Sequence, residues 1–126
     1  MPVKGLGAYD DANVFARILR GEIPCRKVFD NEWALAFHDI APQAPTHVLV
    51  IPKGRYLSMA DFTATASDAE IAGFMRAVGE VARQLGLEDP GYRLLANMGE
   101  DSGQEVPHMH VHLFGGRRLG PMLARA

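Results

Sequence analysis

Gln104-Glu105-Val106-Pro107-His108-Met109-His110-Val111-His112-Leu113-Phe114-Gly115-Gly116 holds three of the chain's five histidines, each separated from the next by one apolar residue. Met109, Val111, Leu113 and Phe114 suit a strand, and the two glycines stop it. Side chains alternate along a strand. His108, His110 and His112 are therefore expected on one face, while Met109, Val111 and Leu113 bury the other. Three readings of the imidazole row compete. One is a polar outer face that happens to use histidine, a poor account of strict alternation. Another is a metal site, since neighbouring imidazoles can converge at about 2.0–2.1 Å from a zinc ion. The outer pair, however, has backbones roughly 13 Å apart at about 3.3 Å per residue, and no acidic ligand is evident beside them in the sequence. The third is catalytic: His110 as a nucleophile, with flanking histidines contacting a bound anion. Neutral imidazole can attack, and its charged form can donate to phosphate oxygens. Phosphoryl chemistry is the favoured reading and metal the second.

Working outward, 126 residues make one domain with room for a core, and 48% hydrophobic content reads as globular. The net charge of −2 gives no global field for nucleic acid or an anionic membrane. A phosphate must then be held locally. Cys25 is the sole cysteine, so no intrachain disulfide is possible and a reducing compartment is expected. The start resembles no signal peptide, and no apolar run approaches the roughly 20 residues of a membrane helix. A soluble, cytoplasmic protein follows as the expectation.

Residues 1–10 read as a loose arm. Asp10 and Asp11 favour the start of a short helix with Val14, Phe15, Ile18 and Leu19 on one face, ended by Gly21 and Pro24. Strands are expected over residues 25–29 and 33–38, with a turn at Asp30-Asn31. Asp39 opens the following loop, where a carboxylate at a strand end can accept from ribose hydroxyls. Residues 46–52, with Val48-Leu49-Val50-Ile51, predict a strand buried on both faces. The segment from Lys53 to Asp61 reads as irregular. Ser67 and Glu70 form a capping box ahead of a helix whose apolar face is Ile71, Phe74, Met75, Val78, Ala82 and Leu85, closed by Gly86. Another strand is expected over residues 91–98. The glycines of the 99–105 loop allow backbone amides to approach a phosphate.

His108-Met109-His110-Val111-His112-Leu113-Phe114 resembles the His-φ-His-φ-His-φ-φ signature of the histidine-triad (HIT) superfamily, φ being apolar. The block from Phe37-His38-Asp39-Ile40-Ala41-Pro42 through Thr46-His47-Val48 to Pro52-Lys53 is similar to the Hint branch, as are Gly91-Tyr92-Arg93 with Asn97, and Gly103-Gln104. The resemblance implies an α+β, HIT-like fold: about five antiparallel strands with two helices, dimerising into a continuous sheet. It covers residues 11–116, leaving 117–126 as a tail. It further implies a purine nucleoside phosphoramidase that cleaves P–N bonds of AMP-amine or AMP-lysine type. Attack by His110 gives a nucleotidyl-histidine, which water resolves to a nucleoside monophosphate.

By the same mapping His112 and His108 orient nucleophile and phosphate, with His47 behind them. Asp39 holds the ribose, and Ile40 and His38 lie beside the nucleoside. Asn97, Gly103, Gln104 and Glu105 surround the phosphate, and Phe15, Ile18, Ile23 and Phe37 line the base pocket. No metal or other cofactor is implied, nor a nucleic-acid or membrane partner; the partners are the nucleotide substrate and a second copy of the chain. The alternatives are a dinucleoside polyphosphate hydrolase, or a nucleotide-binding scaffold with incidental turnover. Glu105 stands where many Hint proteins have serine or threonine, and Arg55 where several have another histidine. The tail lacks a tryptophan that some send across the dimer. These departures bear on leaving-group preference.

Overall fold

A computed structural model describes residues 3–124. The chain runs α1 (Val14–Leu19), β1 (Lys27–Asp30), β2 (Ala34–His38), β3 (Thr46–Pro52), α2 (Met59–Thr65), α3 (Asp68–Gln84), β4 (Arg93–Leu95) and β5 (Val111–Gly115). The strands form one antiparallel sheet in the order β1-β2-β3-β5-β4. The α+β antiparallel architecture is the expected one, with three helices in place of two.

The addition, α2, occupies a stretch read as irregular. Its signal is a capping box two helices share in kind. Ser58 accepts from Ala60 N–H and Asp61 returns to the Ser58 amide, as Ser67 and Glu70 do for α3. Asp61 was read as the end of a loop when it stands three residues into a helix. At α1 the cap is Asn13, whose side chain accepts from Ala16 N–H at 2.9 Å, rather than Asp10 or Asp11.

β2 and β3 are covered on both sides, as the apolar run of β3 predicts. One face (Ala34, Ala36, Val48, Val50, Val111, Leu113) packs on Phe62 of α2 and on Phe74, Ala77, Val78, Val81 and Ala82 of α3. The other (Leu35, Phe37, Leu49, Ile51) packs on Phe15 of α1. Phe74 is 1% exposed, so truncation to alanine costs about 3–5 kcal/mol. Met75, expected on the buried face, is 54% exposed; the stripe instead runs through Ala77 and Val81. Gly73 lets Trp33 approach so closely that an added Cβ would meet its ring at 2.3 Å. Gly86, at φ +72°, closes α3 by donating to Arg83 O, in a conformation that glycine adopts without strain.

Three expectations about ends change. β4 is three residues long, ending at Leu95, and β5 begins only at Val111. His108 and His110 thus precede the strand, and both are buried along with Met109. Residues 3–9, read as a loose arm, are tied down: Val3 N–H donates to Gln104 O at 2.8 Å and Ser58 Oγ donates to Gly5 O at 2.7 Å. That segment and α1 cover the histidine face, which is why it is not an open polar surface. Among the described residues no helix is long and apolar enough to cross a membrane.

Candidate active site

On the α1 side of the sheet a cavity of about 290 Å³ opens beside the histidine segment. β3 and β5 place His47 opposite Phe114 and Leu49 opposite His112, so both imidazoles stand on one sheet face. His110, Phe15, Asp39, Asn97, Gly103 and Glu105 complete most of the lining. Phe15 presents its edge to the His110 ring at 5.1 Å between centroids. Asp39 leaves β2 and is fixed by accepting from Ala41 N–H at 2.8 Å, with its other oxygen 3.5 Å from His47 Nε2.

The hydrogen-bond partners assign the tautomers. Gln43 N–H can only donate, so His47 Nδ1, 3.1 Å away, accepts and Nε2 carries the proton. His47 Nε2–H then donates to His112 Nδ1 at 2.9 Å, which leaves the proton of His112 on Nε2. His110 is set the opposite way. The carbonyl of His108 can only accept, so His110 donates from Nδ1 at 2.6 Å and keeps a lone pair on Nε2. Two adjacent rings, 5.1 Å apart, thus offer the cavity one lone pair and one N–H donor.

His108 works differently from its neighbours. Its side chain is fully buried and away from the cavity, donating from Nε2 to Pro52 O at 2.9 Å and accepting at Nδ1 from Tyr9 O–H at 2.6 Å. Its backbone carbonyl is what touches the site. Burial holds His108 neutral, down to about 4. His112 is likewise pushed to about 4, by burial first and then by the neighbouring His110 and His47. Burial lowers His110 and His47 as well, with Asp39 opposing it at both and Glu105 also opposing it at His110. All four rings are neutral at pH 7, the state the tautomer chain requires.

Several expected nucleotide contacts do not reach this cavity. Gln104 is 1% exposed and its amide is spent on structure, accepting from Gly99 N–H and donating to Leu57 O and Val106 O. Phe37 lies beneath Phe15, with ring centroids 5.5 Å apart. Ile18 lines a second cavity with Cys25, Lys27, Leu35 and Lys53. Ile23 and His38 are half-buried elsewhere, and Ile40 is fully exposed beside the rim. Gln43 and Tyr9 were missed. The backbone amide of Gln43 and the distant Tyr9 act through folding, and neither has a local pattern to give it away.

The metal reading gains an acid the sequence did not reveal, since Asp39, His47 and His112 have donor atoms within 4.8 Å of one another. Coordination through His47 Nε2 requires its proton to move to Nδ1, where it would face Gln43 N–H at 3.1 Å. These residues do not fit a resident ion.

The HIT domain model matches residues 20–119. A HIT-like protein of Azospirillum brasilense is 69% identical over 117 residues, 93% of this chain and 96% of that one. The purine nucleoside phosphoramidase of Escherichia coli is 42% identical over 114 residues, 90% and 95% of the two chains. The solved HIT family hydrolase of Clostridium thermocellum superposes with a TM-score of 0.81 at 36% identity, covering 91% of this chain and 99% of that one. With His47 of β3 paired to His112 of β5 beside the cavity, this chain belongs to the HIT domain family.

Proposed function

We propose that this protein is a nucleotide-binding hydrolase that cleaves the P–N bond of purine nucleoside phosphoramidates through a nucleotidyl-histidine. The observation that carries the reading is the lone pair of His110 Nε2, held toward the cavity by the 2.6 Å bond from Nδ1 to the His108 carbonyl. In the first step Nε2 attacks phosphorus, the Nε2–P bond forms, the P–N bond breaks, and the amine leaves with a proton taken from bulk water. The imidazole becomes cationic. Its Nδ1–H bond to the carbonyl strengthens, and Asp39 and Glu105 stabilise the charge. His112 Nε2–H donates to a phosphate oxygen throughout. Water then attacks phosphorus and releases its proton to bulk water, the Nε2–P bond breaks, and the nucleoside monophosphate departs with neutral His110 restored.

In this reading Asp39, fixed by the Ala41 amide, accepts from ribose hydroxyls, and Asn97, Gly103 and Glu105, which line the same cavity, border the phosphate. The E. coli relative named a purine nucleoside phosphoramidase supports the substrate class. Among the described residues no lysine or arginine lines the cavity, while two carboxylates do. That charge balance disfavours the polyphosphate chain of a dinucleoside substrate. A panel of AMP-amine and AMP-lysine compounds against diadenosine polyphosphates tests the reading, with faster turnover of the phosphoramidates expected. Preferential cleavage of the polyphosphates would replace it.

A further inference from the structure

The His108 ring is gripped at both nitrogens, by strand β3 through Pro52 O and by the N-terminal segment through Tyr9 O–H. Tyr9 also packs edge-on against it, with ring centroids 5.7 Å apart. Arg55 covers the outer face of Tyr9, its guanidinium carbon 5.1 Å from the ring centroid. The same guanidinium makes a two-point pair with Asp11 at 2.8 and 2.9 Å. Tyr9 and Asp11 precede α1 while Arg55 follows β3, so the pair closes the N-terminal segment over His108. This gives Arg55, which stands where several Hint proteins have a histidine, a place in the molecule.

We propose that Tyr9, held by Arg55 and Asp11, is a positioning residue for the nucleophile. Pro52 O accepts only, so the His108 proton stays on Nε2 and its Nδ1 needs a donor. Tyr9 is that donor. With both nitrogens satisfied, the ring and the peptide carrying it have one orientation, and the 108 carbonyl points at His110 Nδ1. Without the phenol hydroxyl, Nδ1 is a buried acceptor with no partner. Ring rotation or an entering water relieves it, the carbonyl direction broadens, and His110 gains freedom to carry its proton on Nε2. That tautomer has no lone pair for phosphorus.

The kinetic half of this proposal rests on the nucleotidyl-histidine reading above; the tautomer half does not. The experiment compares wild type with Tyr9→Phe, which keeps the ring, and with Arg55→Met, whose pair with Asp11 is exposed and adds little to folding stability. Imidazole ¹⁵N spectra of the free proteins report the His110 tautomer, and single-turnover kinetics with an AMP-amine substrate report its nucleotidylation. Wild type should show one His110 tautomer, with Nδ1 protonated. Tyr9→Phe should show a mixture, a nucleotidylation rate reduced about tenfold and substrate affinity within about twofold. Arg55→Met should move both readouts the same way by a smaller factor. An unchanged His110 tautomer in both variants overturns the proposal, even if melting temperature falls, because a brace that serves stability alone would do only that. A wild type inert toward phosphoramidates sinks the function reading, and the spectra still decide the positioning role.

Discussion

His47 and His112 share one proton across 2.9 Å, and the backbone amide of Gln43, 3.1 Å from the far nitrogen of His47, decides which ring owns it. A main-chain N–H outside the sheet thereby sets a side-chain donor inside the cavity. His47→Ala removes the acceptor for Gln43 and the donor for His112, leaving His112 free to adopt the wrong tautomer. We expect kcat to fall about 10- to 100-fold, some 1.4–2.7 kcal/mol of barrier, with KM changed little. His47→Gln supplies an amide N–H and should recover part of the loss. Equal loss in both variants would show that imidazole chemistry at position 47, rather than tautomer control, is what counts.

Stability should fall in acid over a defined window. His108 is held near 4 in the folded protein against an ordinary 6.5, so between those values the unfolded chain binds the proton more readily. Stability from this group is fully present above 6.5 and declines as pH drops toward 4, by on the order of 3 kcal/mol. His112, also near 4, adds in the same direction. Denaturant unfolding at pH 7, 6, 5 and 4.5 checks this. A curve flat down to pH 5 would mean these rings are not buried neutral.

Glu105 is exposed at the cavity rim, and its charge acts on His110. Its ionised carboxylate cannot donate to a phosphate oxygen or a leaving group, as a hydroxyl can. Glu105→Ser removes one charge that steadies the His110 cation from both reactions alike, but should shift the rate ratio several-fold toward poor, amine-type leaving groups, since protonation matters most when departure is difficult. Paired rate measurements on one good and one poor leaving group decide, and equal effects on both would reduce Glu105 to a solvated loop residue.

Dimerisation is expected through the open edge of β4. The apolar stripe of α3 is consumed by the core, with Phe74 and Val78 only 1% and 2% exposed. Leu94, at 42%, is the apolar side chain that the edge strand leaves outside. An isologous contact there extends the sheet across a twofold axis. Sedimentation at micromolar concentration should show a dimer for wild type and a monomer for Leu94→Glu. A monomeric wild type would refute it.

The sheet and its principal helix were legible because β3 and α3 announce themselves by period alone. Val48-Leu49-Val50-Ile51 admits little besides a strand covered on both faces. Ser67-Asp68-Ala69-Glu70 caps a helix as written. Alternation set His108 on the side of Tyr9 and Phe15 but did not reveal its burial, because side-chain period says nothing about what covers a face. His110 was legible from the motif, but its tautomer was not, since a backbone carbonyl sets it. The bracing role of the Gln104 amide was not legible, because a buried amide holding a loop and one bordering a phosphate read alike in sequence. Ile18 joins the same core cluster as Phe15 yet lines a different cavity, because a six-residue helix offers its apolar residues to both.

In the proposed mechanism His110 Nε2 forms a bond to phosphorus. The direct test is intact-protein mass spectrometry on wild type quenched in the first turnover with a purine nucleoside phosphoramidate. The account predicts a mass increase of one nucleoside monophosphate group, mapped by peptide analysis to His110. His110→Ala should show no adduct and a rate lower by about four powers of ten, near 5 kcal/mol, while still binding AMP. Full turnover without any adduct, or an adduct on another residue with His110→Ala still active, would contradict it.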